Sequence, residues 1–532
     1  MAFEGPSAAG QQLNGMGGRE RGNDRLEERG VKRKIGTVLL VICFLLAVLI
    51  FVLTQWYTDK FDTSFAGLLF TLLTPMRGVG GGFWSDFIAV ILPPVLISLA
   101  VYLLLLYLLR SRRIGDLLAK REPRPVRLEK ARTIAGRALC VLTVLALVAS
   151  CVFAWNRLNV GEYLKNSSAQ TTLYEDYYVA PDSVALTAPE KKPNLIWLEL
   201  ESMETTYASR EAGGVQDENY MPELTKIAEE NVSFSNTDRL GGLYPTNNTN
   251  WTMAALFAGT SGLPYAFPVD QHAMNKYGVF APAVTALGDI LKRDGYRQEF
   301  LCGSDGEYGG RALYFREHGD IEIHDLFAAR ERGEIPQDYY VWWGFEDRVL
   351  FRIAKEELTR LAAGDQPFSL TLLTVDAHHL GGFTCEECGN EYEDRTANVI
   401  ACTDRQAGEF VAWCRQQPWW EDTVLVITGD HPRMDTCLVG GLEYRQRNIY
   451  NAFLNARKAP AGETRFREAV TMDLFPTVLS AMGYGIEGDR LGLGTDLFSG
   501  RKTLAEEMGY EALNTEVQKY SKYFIDHFAR TR

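Results

Sequence analysis

The chain has 532 residues, of which 46% are hydrophobic and 23% are charged, and these proportions exclude a wholly disordered protein. The net charge of −13 argues against a general nucleic-acid-binding protein, which normally has a basic face. The charge is uneven, because residues 1–155 hold 19 Lys and Arg against 11 Asp and Glu, whereas residues 156–532 hold 36 against 57. A basic, apolar front followed by an acidic remainder is typical of a membrane-anchored protein.

Three apolar segments, at 35–55, 87–109 and 134–155, are each long enough to cross a bilayer, since about 20 apolar residues span its hydrocarbon core. Clusters of Lys and Arg precede the first segment and separate the second from the third, whereas only Lys60 and Arg77 lie between the first two. Basic flanks stay in the cytoplasm. The pattern predicts a multi-pass protein of the cell membrane with a cytoplasmic N-terminus and an extracellular C-terminal part.

The rest of the chain divides by composition. Residues 1–34 are Gly-rich and basic, which favours a disordered cytoplasmic tail, and residues 35–155 form the membrane domain. The apolar stretch 65–75 is too short to cross and lies either at the outer interface or in a buried loop helix. Residues 156–192 have few apolar runs and are interpreted as a linker to a catalytic domain at 193–532.

Strand and helix patterns alternate within that domain. Strands are predicted at 194–200, 296–302, 368–375 and 423–428, and helices at 221–230, 283–293, 395–416 and 472–482. This alternation is typical of an α/β fold with a mostly parallel central sheet. Functional residues in such sheets gather at the carboxyl ends of the strands.

Acidic and imidazole side chains follow three of these strands directly. Glu201 follows the first predicted strand, Asp430 and His431 follow the last, and His378 lies just after the strand at 368–375. Any one of them could be an ordinary surface residue, but three strand ends of this kind predict a common site. Carboxylates with one imidazole suit Mn²⁺, Zn²⁺ or Mg²⁺.

A nucleophile for this site is predicted at Thr252, where an Asn- and Thr-rich turn gives way to a helical run. Unpaired N–H groups at a helix start favour an anion, and a bound metal can activate a hydroxyl. The spacing alone favours the alternative that Thr252 is a simple helix cap.

Several motifs in order extend over about residues 193–500: PNLIWLELES, NWTMAALFAG followed by SGLP, LLTVDAHH, the strand-end GDH, and TMDLFPTVLSAMGYG with LGLGTDLFSG. Together they resemble the lipoteichoic acid synthase and phosphoglycerol transferase I group, in the sulfatase-like branch of the alkaline phosphatase superfamily. The resemblance implies N-terminal transmembrane helices followed by an extracellular alkaline-phosphatase/sulfatase-like α/β domain.

The resemblance also implies roles for individual residues. Metal ligands fall on Glu201, Thr252, Asp430 and His431, with Thr252 as the nucleophile, and substrate-binding residues fall on His378 and Arg311. The implied activity moves glycerol phosphate from phosphatidylglycerol, through a covalent threonine intermediate, to a glycerol-phosphate chain, a glycolipid or a glycan. Mn²⁺ is the preferred metal, with Zn²⁺ and Mg²⁺ as alternatives.

Two other activities remain open at this point: a phosphoethanolamine transferase of the same superfamily, and a non-catalytic membrane-anchored binding protein. Sulfate-ester hydrolysis is not favoured, because that chemistry needs Cys or Ser in a C/S-x-P-x-R context, and the chain has Thr252 followed by Met-Ala-Ala-Leu.

Nine cysteines are present, and an external domain permits disulfides. Cys302 and Cys414 fall in a predicted strand and helix, which indicates buried thiols. The other four external cysteines are predicted to pair as Cys388–Cys402 and Cys385–Cys437. A four-cysteine zinc site is the alternative, since Cys385 and Cys388 form a C-x₂-C motif.

Overall fold

The computed structural model describes residues 13–61, 65, 68–69, 81–111, 114, 125–267 and 278–529. The chain forms two compact units, which are described separately. One comprises residues 1–58 and 84–160, and the other comprises residues 59–83 and 161–532.

The first unit consists of three long helices, Leu13–Lys60, Gly81–Arg110 and Pro125–Arg157. Each contains a stretch long and apolar enough to cross a membrane, at Lys34–Lys60, Phe87–Arg110 and Glu129–Arg157. Tyr102 joins the helices, because its ring stacks on Phe44 at 3.9 Å and its hydroxyl lies 2.8 Å from the Thr143 hydroxyl. The predicted apolar stretch at 65–75 lies almost wholly outside the described residues.

The first helix begins earlier than the sequence predicts. Residues 13–34 were expected in a disordered tail, but the structure makes them helical. Residues 19–34 are rich in Arg, Lys and Glu, and extending an existing helix avoids a new nucleation step. The apolar span therefore continues into a polar helical extension.

The second unit is built on a six-stranded sheet. Its strands are β2 Asn194–Leu200, β3 Arg297–Cys302, β4 Glu322–His324, β5 Phe368–Leu373, β6 Thr423–Gly429 and β7 Asn451–Leu454. Their order across the sheet is β4-β3-β5-β2-β6-β7, and only β7 is antiparallel to its neighbour. The α/β fold with a mostly parallel sheet is thus confirmed, and all four predicted strands are present to within two residues.

Strand β2 is central and buried on both faces, as its apolar run NLIWLEL requires. Its neighbours β5 and β6 both run parallel to it, so the carboxyl ends of all three strands meet at one edge. Helices cover the two faces. Their bounds are Pro222–Glu230, Thr252–Ser261, Leu287–Arg293, Arg311–Glu317, Leu326–Glu331, Asp347–Ala362, Arg395–Cys414 and Leu474–Ala481, followed by Leu504–Met508, Tyr510–Glu516 and Lys522–Phe524.

The segment predicted as a linker is packed onto this unit. It forms the helices Val160–Ser168 and Leu173–Tyr177, and β1 (Leu186–Thr187) pairs with β8 (Gly485–Ile486). A second small ribbon joins β9 (Arg490–Leu491) to β10 (Gly494–Thr495). Tyr174 is 1% exposed and its ring contacts Phe524 at 5.3 Å. This burial of aromatic surface explains why the segment is ordered.

A buried ion-pair network lies along β3 and β4. His324 is fully buried, and its two ring nitrogens lie 2.9 Å from Glu299 Oε1 and 2.6 Å from Glu334 Oε2. Burial opposes protonation of His324, but the hydrogen bond and charge of Glu299, with the charge of Glu334, outweigh it and raise its pKa. The nearby cations are Arg332, which contacts His324, and Arg360, which binds Glu299. Protonated His324 therefore lies between two carboxylates.

We expect His324→Gln to lower the thermal unfolding midpoint of the full chain by several degrees at pH 6, since breaking a buried ion pair costs about 3 kcal/mol. The His324 pKa is higher in the folded than in the unfolded chain. Its contribution is therefore fully present below about 6.5, the unfolded value, and is lost as the pH rises through the folded value. Exposed His527→Gln is the control. An effect of His324→Gln that is equal at pH 6 and pH 9 would contradict the charged assignment.

Candidate active site

Three buried side chains converge at the carboxyl ends of β2 and β6. Glu201, Asp430 and His431 are each at most 2% exposed, and one ligand atom from each lies within 4.8 Å of the others. His431 Nε2 is 3.8 Å from Glu201 Oε1 and 3.4 Å from Asp430 Oδ2. Two carboxylates and an imidazole at this spacing could hold one divalent metal ion, and we call these three residues the metal-type group.

Adjacent parallel strands bring these residues together, and Gly429 allows the close approach. A Cβ at this last residue of β6 would lie 1.9 Å from the carbonyl oxygen of Met203, which no larger residue could accept. The backbone N–H of Ser202 then donates to Asp430 Oδ1 at 2.8 Å. The segments that follow β2 and β6 are thereby joined directly beside the site.

The hydrogen bonds around Asp430 leave one oxygen for a ligand. Oδ1 accepts the N–H groups of Ser202 and His431, at 2.8 and 2.7 Å, whereas Oδ2 is buried with no hydrogen-bond partner. Burial, and then the charge of Glu201, raise the pKa of Asp430 above its usual range. A divalent cation would supply both the missing partner and the missing positive charge, so the residues fit a metal.

The ring of His431 is also oriented so that it could bind a metal ion. Its Nδ1–H donates to the carbonyl oxygen of Pro432 at 2.8 Å, which directs the Nε2 lone pair toward Glu201 and Asp430. Histidine ligands are usually held in this way through their second nitrogen. On the other side, the Ser202 hydroxyl donates to Glu201 Oε1 at 2.7 Å, which fixes that carboxylate.

Thr252 is the first residue of the helix Thr252–Ser261 and is partly exposed. Its hydroxyl oxygen lies 3.3 Å from Glu201 Oε2 and 3.4 Å from His431 Nε2. The capping position belongs to Trp251, which makes no side-chain cap, so the Thr252 hydroxyl faces the metal-type group instead of closing the helix. The helix N-terminus adds N–H groups that favour a bound anion.

His378 lies beside this group. Its Nδ1 is 2.9 Å from the carbonyl oxygen of His379, and its ring packs on Trp343 at 4.6 Å. Burial lowers the His378 pKa, partly offset by the nearby charge of Glu201. Because the His379 carbonyl accepts from Nδ1–H, His378 can donate to a phosphate oxygen only through Nε2 of the protonated imidazole.

Arg311 follows the loop after β3, as the first residue of the helix Arg311–Glu317, and is 6% exposed. Its guanidinium donates to the Tyr308 and Asp305 carbonyls at 3.1 and 2.7 Å and to the Ser304 hydroxyl at 3.0 Å. The structure thus places Arg311 in hydrogen bonds with its own loop. The loop reaches the Thr252 helix, since a Cβ on Gly309 would lie 3.5 Å from Met253 Cβ.

Two aromatic residues of this region were missed in the sequence. Trp343 contacts both His378 and the ring of Tyr308, the latter at 5.8 Å, and Tyr308 lies under the Arg311 guanidinium at 5.8 Å. The only sequence signal was the aromatic pair before Gly344 in a polar loop. These rings connect the two predicted substrate-binding residues.

The structure does not form either predicted disulfide. Cys385, Cys388, Cys402 and Cys437 are free thiols, and the first three have sulfurs within 4.8 Å of one another. The pairs Cys388–Cys402 and Cys385–Cys437 thus stay predictions. Cys302 and Cys414, expected as buried thiols, are 1% and 0% exposed.

Comparison with known proteins identifies the family of this chain. The sulfatase family model matches residues 193–484, more than half of the chain, and the chain belongs to this family. It is 30% identical over 466 residues to phosphoglycerol transferase I of Xanthomonas campestris pv. campestris strain B100, covering 86% of this chain and 61% of that protein. It is 32% identical over 334 residues to phosphoglycerol transferase I of Salmonella choleraesuis, covering 61% and 41%.

Among solved structures, lipoteichoic acid synthase LtaP from Listeria monocytogenes matches with a TM-score of 0.45 and 15% identity, over 62% of this chain and 81% of that chain. The chain spans about three fifths or less of the length of the two phosphoglycerol transferases. The sulfatase-like assignment drawn from the sequence motifs is confirmed by the family model.

Proposed function

We propose that the chain is a membrane-anchored, metal-dependent phosphoglycerol transferase. It moves glycerol phosphate from phosphatidylglycerol to an acceptor hydroxyl through a covalent intermediate on Thr252. The observation that carries this proposal is the position of the Thr252 hydroxyl, at a helix N-terminus and within 3.4 Å of both Glu201 and His431. The likeness to proteins named phosphoglycerol transferase I supports the choice of substrate.

Glu201, Asp430 and His431 would hold the metal, with Thr252 as a further ligand in the resting site. When bound, the metal lowers the pKa of the threonine hydroxyl and neutralises charge on the phosphate. Mn²⁺ is the first choice, because a carboxylate-rich site with one imidazole suits a harder ion than a thiolate site would. Zn²⁺ and Mg²⁺ are the alternatives.

The transfer takes two steps. Thr252 Oγ1 forms a bond to phosphorus while the bond from phosphorus to the diacylglycerol oxygen breaks, and the proton lost by threonine is balanced by the one gained by diacylglycerol. The acceptor hydroxyl oxygen then bonds to the same phosphorus while the bond from phosphorus to Thr252 Oγ1 breaks, and the acceptor's proton replaces the one that threonine lost. The helix N-terminus, protonated His378 and Arg311 would bind the phosphate oxygens, where negative charge builds up.

His378→Ala and Arg311→Ala should each reduce kcat/KM about a hundredfold, the usual cost of losing one hydrogen-bond donor to the transition state. Metal content should not change, because neither side chain belongs to the buried metal-type group. Steady-state kinetics and metal analysis of the purified variants check this. Loss of metal from either variant would contradict a role in substrate binding alone.

The experiment that tests the function uses the full chain in detergent with fluorescent analogues of phosphatidylglycerol and phosphatidylethanolamine, each assayed separately. The candidate acceptors are a glycerol-phosphate oligomer, a glycolipid, a glycan and water. We expect fluorescent diacylglycerol together with one acceptor extended by glycerol phosphate. Release from phosphatidylethanolamine alone would instead favour a phosphoethanolamine transferase, and no release from either lipid would favour a binding protein.

The three apolar helices support a membrane anchor, and we propose that the N-terminus is cytoplasmic and the catalytic unit extracellular. This follows from the basic residues before the first span and between the second and third. The catalytic unit would then lie on the same side of the membrane as the outer leaflet. Reporter fusions after Arg127 and Asn166 should report opposite sides, and two cytoplasmic reports would overturn the orientation.

A further inference from the structure

Three cysteine sulfurs lie together outside the active site. Cys385 and Cys388 belong to the loop that follows β5, and Cys402 belongs to the helix Arg395–Cys414. Cys385 Sγ is 3.7 Å from Cys388 Sγ and 3.7 Å from Cys402 Sγ. Cys385 and Cys402 are buried, at 7% and 4% exposure, and Cys388 is partly exposed.

These distances match the edges of a metal tetrahedron. A zinc ion bound by thiolates has Zn–S bonds of about 2.3 Å, so two of its sulfurs are about 3.8 Å apart. A disulfide would require a sulfur–sulfur distance of about 2.05 Å and could join only two of the three. Cys385 is equally close to both neighbours, which a three-ligand site explains and a single pair does not.

Two further groups donate hydrogen bonds to the same cluster. The Gln406 side-chain amide lies 3.1 Å from Cys402 Sγ, and the Arg405 guanidinium lies 3.6 Å from it. Donors of this kind stabilise a thiolate, and hydrogen bonds to ligand sulfurs are typical of the surroundings of bound metals. The guanidinium also supplies positive charge beside three ligands that would each be anionic.

We propose that Cys385, Cys388 and Cys402 bind one Zn²⁺ ion as thiolates, with a water molecule as the fourth ligand on the exposed side of Cys388. In the described part of the chain the group contains no fourth His, Cys, Asp or Glu ligand. Binding releases three thiol protons and involves no oxidation or reduction. Cys437 is not a ligand, so this site differs from the four-cysteine alternative considered for the sequence.

The site would fasten the loop that carries His378. Residues 374–394 connect β5 to the helix Arg395–Cys414 without regular helix or strand, and long loops of this kind need a tether or remain mobile. Zinc would join the Cys385–Cys388 part of the loop to the second turn of the helix, at Cys402. The proposal does not depend on the identity of the substrate, because it concerns the loop alone.

Cobalt substitution of the full chain in detergent tests the proposal. Thiolate ligands give bound Co²⁺ an intense near-ultraviolet charge-transfer absorption that an oxygen- and nitrogen-ligated active site cannot produce. We expect this absorption in the wild type, its loss in Cys385→Ser and Cys402→Ser, and its persistence in Glu201→Ala. Cys437→Ser is the matched control, because Cys437 is also a partly buried thiol, and it should keep the absorption.

Metal analysis gives an independent measurement. Protein produced with added zinc should hold one equivalent more in the wild type than in Cys388→Ser, and the Cys437→Ser control should match the wild type. Cys388 is the most exposed of the three ligands, so this variant keeps the test valid if the buried variants fail to fold. A disulfide between any two of the three in non-reducing peptide mapping, or wild-type protein without the cobalt absorption, would overturn the proposal.

Discussion

Thr252→Ala should abolish diacylglycerol release from phosphatidylglycerol, with a fall in kcat of about 10⁴-fold or more, the scale seen when a covalent nucleophile is removed. The loss follows because Thr252 is the hydroxyl that lies within 3.4 Å of both Glu201 and His431. The fold and most of the metal binding should survive, since Glu201, Asp430 and His431 form the buried group without it. Fluorescent-lipid turnover and metal analysis measure the two effects separately.

Thr249→Ala is the matched control. Thr249 lies three residues earlier and is buried, and its hydroxyl lies 3.0 Å from the Thr246 hydroxyl, away from the metal-type group. It should retain diacylglycerol release, and mass spectrometry of the quenched wild type should find a glycerol-phosphate adduct on the peptide that contains Thr252. Substantial release by Thr252→Ala, or an adduct on another hydroxyl, would disprove the nucleophile assignment.

Glu201→Ala and His431→Ala should lose activity by a different route, through weaker metal binding. Each variant removes one of the three ligand residues from the buried group. Asp430 remains in both, with its Oδ2 atom free of hydrogen bonds and available to a metal ion. We expect activity to fall by at least about a hundredfold at low metal concentration and to recover in part with excess Mn²⁺. Metal titration with activity as the readout measures the shift.

Glu199→Gln provides the comparison for these variants. Glu199 is also a buried carboxylate of β2, but it accepts a hydrogen bond from the Thr428 hydroxyl at 2.7 Å and does not belong to the metal-type group. Its metal dependence should equal that of the wild type. If Glu199→Gln shifts the metal requirement as strongly as Glu201→Ala, general disturbance of the strand, and not ligand loss, explains the result.

The catalytic unit was predictable where local pattern and tertiary position agree. The apolar run of β2 is long and unbroken because both faces are covered, and the structure gives it the predicted bounds, Asn194–Leu200. The parallel arrangement then accounts for Glu201 and Asp430 at one edge. Thr252 stays a proposal, because a helix cap and a nucleophile look alike in sequence; the structure adds that its hydroxyl lies within 3.4 Å of Glu201 and His431.

Other features depend on long-range contacts that no local pattern contains. The segment at 156–192 looks like a linker, but it is ordered by contacts such as Tyr174 with Phe524, which are distant in sequence. Trp343 contacts His378 only because the loop before the helix Asp347–Ala362 meets the loop after β5. The clustering of Cys402 with Cys385 and Cys388 likewise requires the register of the helix against the preceding loop.

The residues of the candidate site come from two kinds of segment, strand ends and connecting segments, and this difference affects which of them can change. The metal-type residues Glu201, Asp430 and His431 directly follow central strands, whose positions are fixed by the buried core on either side. Arg311, His378 and Trp343 instead come from connecting segments that cross the same edge. Insertions or exchanges in those segments can therefore change what borders the site without moving the three residues that follow the strands.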